Sequence, residues 1–311
     1  MVDPETGELL WWASGNDTDA NLVLPDMKYA IPSDVLLQDT TGDKITDRIY
    51  VGDVNGQLWR IDLTKDDSDA DKAGVMARLG DHAYPNKRSF FYPPAIAHLE
   101  GKTILTAITG ARPNPLAGGD EASGGYYAHD QFYAILDNEQ DFDFTRPISQ
   151  DNLEDVTDWT STTVNLKDTT KDGWFFSLQE SDDKWIGEKG LGRPLVIDDN
   201  VFFITYVPPS FSTGKTASGS CGDFNPGSSR FYAINLLDGG PAYEKIGEGE
   251  NEEFDTDQRG DSASDRSSEV NTLAFDPIVM YTDTSEEVIF AGQETPVKTP
   301  VPPKRVFWLQ K

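Results

Sequence analysis

Residues 34–63 read DVLLQDTTGDKITDRIYVGDVNGQLWRIDL. Three short runs in it, DVLLQ, RIYVGDV and QLWRIDL, are rich in β-branched and aromatic residues and have the length of strands. Asn55-Gly56 separates the last two, the strongest short signal for a tight hairpin. Asp39 to Asp47 separates the first two, and there oxygen-bearing side chains recur at every second position, broken only by Ile45. The stretch therefore predicts three antiparallel strands with an acidic nine-residue loop between the first and second. The rest of the chain follows the same grammar. KTILTAITG, QFYAILD, PLVIDDNVFFITYVP, RFYAINL and EEVIFAG all read as strands bounded by Gly, Pro, Asn and Asp. No segment sustains a period near 3.6 residues with caps. The expected class is all-β with little helix.

A weak internal repeat organises these strands. GQLWRIDL (56–63), DQFYAILD (130–137) and SRFYAINL (229–236) end alike, and each follows another strand pattern. VDPETGELLWW near the start resembles the last two strands of one further unit, and KRVFWLQ at the end resembles the close of another. Repeated four-stranded antiparallel units with aromatic signatures suggest the blades of a β-propeller. The expected units are a partial blade at 1–14, a blade carrying the acidic loop at 28–63, blades at 74–137 and 172–236, and a closing blade at 270–311, with long loop insertions between strands. These are too few strands for a closed ring, so the expected fold is a partial, modified propeller, truncated on its N-terminal side. TKDDSDADK (64–72) and the acidic, Ser-rich 247–269 read as loops.

Composition narrows the function. The chain has 311 residues, enough for a large core, and no run of apolar residues long enough to span a membrane. Its start lacks the basic and apolar segments of a signal peptide. With 54 acidic and 26 basic residues the net charge is −28, which argues against nucleic acid or an anionic membrane as partner. Such acidity serves solubility, or supplies cation ligands. A lone cysteine, Cys221, excludes an internal disulfide framework and a Cys-based zinc site. His82, His98 and His129 have no metal spacing, and no compact catalytic grouping or phosphate-binding glycine loop appears.

The acidic loop is the one site candidate. Hard cations take several oxygen ligands, carboxylates among them. With Asp39 as position one, Thr41 is three, Asp43 five, Ile45 seven and Asp47 nine. Position seven of an EF-hand loop offers its backbone carbonyl, so an apolar Ile45 suits it. Position twelve, where an EF-hand has a bidentate Glu, is Tyr50, inside the next strand. The loop is thus EF-hand-like, with Asp47 as its closing carboxylate. Calcium is the favoured occupant; magnesium, or no metal in a polar turn, are the alternatives. Trp59, Trp174, Trp185 and Trp308 read as core. Arg259-Gly260-Asp261 spells an integrin-binding tripeptide, and Asp255, Asp257, Asp261 and Asp265 form a second acidic cluster without ligand spacing.

Residues 34–63 resemble the calcium-loop blade of the PilC/PilY family of type IV pilus biogenesis and tip-associated proteins. SFFYPPAIAHLEGKTILTAITGARPNPL with DQFYAILD, and DGWFFSLQESDDKWIGEKGLGRPLVIDDNVFFITYVPPS with CGDFNPGSSRFYAINLLDGG, are similar to the blades that follow in that family. The resemblance implies a C-terminal β-propeller domain, with Ca²⁺ held by Asp39, Thr41, Asp43, Asp47 and the Ile45 carbonyl. Thr41 departs from the Asn or Asp usual at that position. It further implies a non-enzymatic exported protein of a Gram-negative bacterium, placed at the fimbrium or cell surface, outer membrane or periplasm. There it would regulate pilus extension and retraction, twitching motility and adhesion. Its implied partners are major or minor pilins, and a host-cell surface. Two competing classes are a quinoprotein dehydrogenase, suggested by the VDPETGELLWW turn, and an integrin-like adhesion propeller, whose hairpins hold similar Asp-rich loops.

Overall fold

The structure, a computed structural model, describes residues 1–311 except 65–70, 82, 84, 100, 116–127, 138–141, 160–163, 179–185, 198, 209–226, 247–252, 256–257, 271–275, 282–285, 290–296 and 300–311. It is an all-β chain. Two 3-10 turns, Gln150–Asn152 and Ala263–Arg266, are its helical elements among the described residues. The short strands β1 (Ala13–Ser14) and β2 (Leu22–Val23) pair in parallel near the start. A first sheet follows: β3 (Leu36–Gln38), β4 (Arg48–Gly52), β5 (Gln57–Asp62) and β6 (Lys72–Arg78) run as an antiparallel meander. The second sheet starts with β7 (Ala95–Leu99), β8 (Lys102–Ile108) and β9 (Gln131–Asp137). The chain then returns to the first sheet, where β10 (Ile148–Ser149) lies parallel to β6. β11 (Glu154–Asp155) and β12 (Gly173–Ser177) complete the second sheet, β12 antiparallel to β9. A third sheet holds β13 (Lys189–Gly190), β14 (Leu195–Ile197), β15 (Asn200–Val207) and β16 (Ser228–Asn235). After the hairpin of β17 (Glu244–Ile246) and β18 (Glu253–Asp255), β19 (Ser267–Val270) joins β16 on that sheet. β20 (Ile278–Tyr281), β21 (Glu286–Ile289) and β22 (Val297–Thr299) form a last antiparallel sheet.

The three repeated segments occupy equivalent places. β5 lies between β4 and β6, β9 between β8 and β12, β16 between β15 and β19. This placement explains their composition. Successive side chains of a strand point to opposite faces. On β9, Tyr133 and Ile135 pack into a layer with Tyr50, Leu58 and Met76 of the first sheet, while Phe132, Ala134 and Leu136 pack into a layer with Val201, Phe203 and Tyr232 of the third. With both faces covered, alternation of apolar with polar residues disappears and QFYAILD is buried throughout. Phe203 stacks between Phe132 at 4.4 Å and Tyr232 at 4.6 Å, rings nearly parallel. Trp59 and Trp174 are core residues, as expected.

Two strands sit elsewhere than the sequence grouping places them. β6 falls at the head of the expected 74–137 unit but closes the first sheet by pairing with β5; β12 heads the expected 172–236 unit but pairs with β9. The repeat marks the third strand of each meander, and the fourth strand, lacking that signature, is read forward into its neighbour. Trp185, Cys221, His82, Asp257, Trp308 and the KRVFWLQ segment lie outside the described residues.

Candidate functional site

The acidic loop joins β3 to β4, and both its ends are fixed. Asp47 N–H donates to the Gln38 carbonyl at 2.9 Å, and Leu63 N–H to the Asp47 carbonyl at 2.8 Å. Within the loop, the Asp39 carboxylate accepts from the N–H groups of Thr41, Gly42 and Lys44, at 3.0, 2.6 and 2.6 Å. The Asp47 Oδ2 accepts from Thr40 N–H and Thr40 Oγ1, both at 2.8 Å, and from Thr41 N–H at 3.2 Å. First and last carboxylates thus meet on one N–H, that of Thr41. Asp43 instead accepts from Ile45 N–H at 2.9 Å. Desolvation works to raise the Asp39 pKa, but the N–H donors of Lys44, Gly42 and Thr41 outweigh it and hold the carboxyl below its ordinary value.

Backbone strain marks the same turn. Lys44, the sixth position, has φ +72°, a left-handed conformation uncommon for a residue with a Cβ. An EF-hand places Gly at that position for its sharp turn. In this loop the sixth position is Lys44. Gly42 is also left-handed, at φ +79°. Ile45 is 56% exposed, so its side chain is not part of the core.

The donor set of Asp39, Thr41, Asp43, Asp47 and the Ile45 carbonyl is all oxygen and suits a hard cation. Its carboxylates are turned to backbone N–H groups, and among the described residues no three Asp, Glu, His or Cys side chains stand together at metal-holding range. Asp39 and Asp47 are brought together; Asp43 is directed to Ile45.

Directly behind the loop lies a buried ionic network that the sequence reading missed. The Gln38 amide donates to Thr103 Oγ1 at 3.1 Å, and its carbonyl lies 3.2 Å from the Tyr50 hydroxyl. Tyr50 donates to Asp137 Oδ2 at 2.6 Å. Asp137, at the end of β9, also takes Arg60 at 2.6 Å and Arg48 at 3.3 Å. Both arginines bind Asp62 in addition. Arg60 and Asp137 are wholly enclosed. Burial, then the Asp137 charge, holds the Tyr50 phenol far above its usual value, so it stays a proton donor. The available signal was an arginine inside the apolar run QLWRIDL, with an Asp as the last or last-but-one residue of two of the three repeats.

Asp39 also stands on the rim of a groove of about 640 Å³, lined by Gln38, His98, Arg193, Leu195 and Asp276 where β3, β7 and β14 approach. The other sequence candidates are structural. Asp3 caps its turn by accepting from Glu5 and Thr6 N–H, and Trp11 donates to Asp71. One Arg259 guanidinium nitrogen donates to both carboxylate oxygens of Asp238 and the guanidinium lies over the Trp159 ring, while Gly260 is buried. In the integrin-type tripeptide the arginine is thus paired with Asp238, while Arg259 and Asp261 are both exposed. Asp265 caps Ser262 N–H.

No family model matches the chain. A curated protein described as a type IV pilus biogenesis factor PilY1 homolog, from Xylella fastidiosa, is 22% identical over 249 residues, which are 71% of this chain and 15% of that protein. Among solved structures, the crystal structure of the Pseudomonas aeruginosa PilY1 C-terminal domain matches with TM-score 0.57 and 16% identity, over 86% of this chain and 60% of that one. The chain therefore spans a small part of the curated relative and under two thirds of the solved domain. In sequence the chain resembles a PilY1-type protein, and in fold the PilY1 C-terminal domain.

Proposed function

We propose that the chain is a non-catalytic, calcium-binding domain of a type IV pilus biogenesis protein, its successive sheets arranged as blades of a partial β-propeller. What supports this is one conjunction: an all-oxygen, nine-residue hairpin loop with a left-handed turn at Lys44, in a chain that resembles PilY1 in fold and sequence. Asp39, Thr41, Asp43 and Asp47 would hold Ca²⁺ with the Ile45 carbonyl. When bound, the ion supplies a fixed positive charge that cancels the repulsion of three carboxylates and links the two ends of the loop. The side chains must exchange their backbone N–H partners for the metal, and Asp43 must leave Ile45 N–H. That rearrangement and the missing bidentate Glu make the site a weak one, with affinity on the order of 10⁻⁶ to 10⁻³ M.

The proposed role is regulation of pilus extension and retraction, and through it twitching motility and surface attachment, by an exported protein acting with major or minor pilins. No helix among the described residues is long and apolar enough to cross a membrane. The test is genetic. In a bacterium that carries this protein and type IV pili, Asp47→Ala traps the empty loop, and Asp47→Lys places a cation where calcium would sit. Surface pilus number should move in opposite directions in the two strains. Identical pilus counts in both, with the protein present at wild-type level, would sink the proposal.

A further inference from the structure

The candidate loop begins one residue after Gln38 and ends one residue before Arg48, and both of these residues belong to the buried network that reaches Asp137. Asp137 sits on β9, in the second sheet, 90 positions from Asp47 in sequence (137 − 47). The loop hairpin is thus tied to another sheet at both of its roots. Gln38 is tied through its side-chain amide, which donates to Thr103 Oγ1 on β8, and Arg48 through a direct ion pair with Asp137, which the neighbouring Tyr50 hydroxyl also holds.

We infer that this network positions the β3–β4 loop for its cation and couples loop occupancy to the junction of the first and second sheets. Tyr50, Arg48 and Asp137 are its positioning residues. The inference rests on the calcium proposal above. Its physics has two parts. Fixing both roots reduces the conformational freedom that binding would otherwise remove from the loop, and a preordered site binds more tightly for that reason. The second part is electrostatic. Arg48 is the neighbour of Asp47, and a loosened guanidinium would compete with the metal for the loop carboxylates. Asp62 and Asp137 hold it on the interior side. Coupling is reciprocal, so metal in the loop must in turn tighten the Asp137 end of β9.

The test compares the wild-type chain with Asp137→Asn and Tyr50→Phe, neither of which alters a proposed ligand. Tyr50→Phe removes one hydroxyl and is the deciding variant if Asp137→Asn fails to fold. The first readout needs no metal: hydrogen exchange at the Thr40, Thr41, Gly42 and Lys44 amides, which donate to the loop carboxylates. The second is calorimetric titration with calcium chloride. We expect exchange at those amides to quicken, and calcium affinity to fall, by about five- to tenfold. Calcium added to wild type should also slow exchange at the end of β9. Unchanged loop exchange and unchanged affinity in a folded variant overturn the inference. If wild type takes up no calcium yet loop exchange still responds to Tyr50→Phe, the positioning role stands and the calcium proposal falls.

Discussion

Replacing Asp130 by Asn should change how the stability of the protein depends on pH. Asp130 immediately precedes β9, is 2% exposed, and its Oδ1 has no hydrogen-bond partner among the described residues. Burial pushes its carboxyl up to about 7; a hydrogen bond from Thr109 and the charges of Lys189 and Arg88 pull the other way and lose. The folded state therefore prefers the protonated acid. A group raised in this way gives stability that is fully present below its unfolded pKa near 3.8 and is lost as pH rises through about 7. Each pKa unit corresponds to about 1.4 kcal/mol and the slope flattens near the folded pKa, so the loss between pH 5 and pH 7 is about 2 kcal/mol. Neighbouring His129 works in the opposite sense. Burial, then Arg88, depresses it to about 4, so its neutral form is favoured and stability rises as pH climbs from there toward 6.5. That contribution is smaller than its shift suggests, because His129 is only partly buried. Urea unfolding of wild type and Asp130→Asn from pH 5 to 8 separates the two, since His129 is common to both chains. The stability difference, wild type minus variant, should fall by about 1.4 kcal/mol per unit to near pH 7 and then level off. Parallel curves across that range would refute the burial argument.

Three further outcomes follow from the packing and the loop. Phe203→Ala removes the ring stacked between Phe132 and Tyr232 and should cost about 3–5 kcal/mol in urea unfolding; a cost under about 1 kcal/mol would mean that the second and third sheets do not share this layer. Lys44→Gly relieves a left-handed Cβ, about 1–2 kcal/mol, against a glycine entropy cost of about 0.5–1 kcal/mol. Its thermal midpoint should hold or rise slightly, and a clear fall would show that the turn is not strained. Arg60→Met leaves the enclosed Asp137 carboxylate with reduced compensation, Asp62 being partly exposed, and should cost about 3–5 kcal/mol; near-neutrality by the same assay would mean that the network is solvated.

Most of the strand content was legible because burial on both faces writes itself as continuous apolar runs. QFYAILD and RFYAINL could be identified as strands, and as equivalents of QLWRIDL, from side-chain type alone. Sheet membership was less legible. GWFFS of β12 is as apolar as the strands before it and after it, and only pairing with Tyr133 and Ala134 assigns it to β9. The loop was legible as a donor set, since spacing lies in the sequence. Its geometry was not: the turn at Lys44 and the meeting of Asp39 and Asp47 on Thr41 N–H are backbone properties. The ionic network was invisible for another reason. Its members, Gln38, Arg48, Tyr50, Arg60, Asp62 and Asp137, come from four strands of two sheets, and no spacing along the chain brings them together.

The most direct test of the calcium-loop account is calorimetric titration of calcium into the wild-type chain and into Asp47→Ala. Asp47 holds Thr40 and Thr41 from outside the core, so the variant should keep its fold, as circular dichroism would report. The account predicts one calcium bound to wild type with a dissociation constant on the order of 10⁻⁶ to 10⁻³ M, and no binding to the variant. Equal binding by both chains, or none by wild type, would contradict it and leave Asp39 to Asp47 as a polar turn.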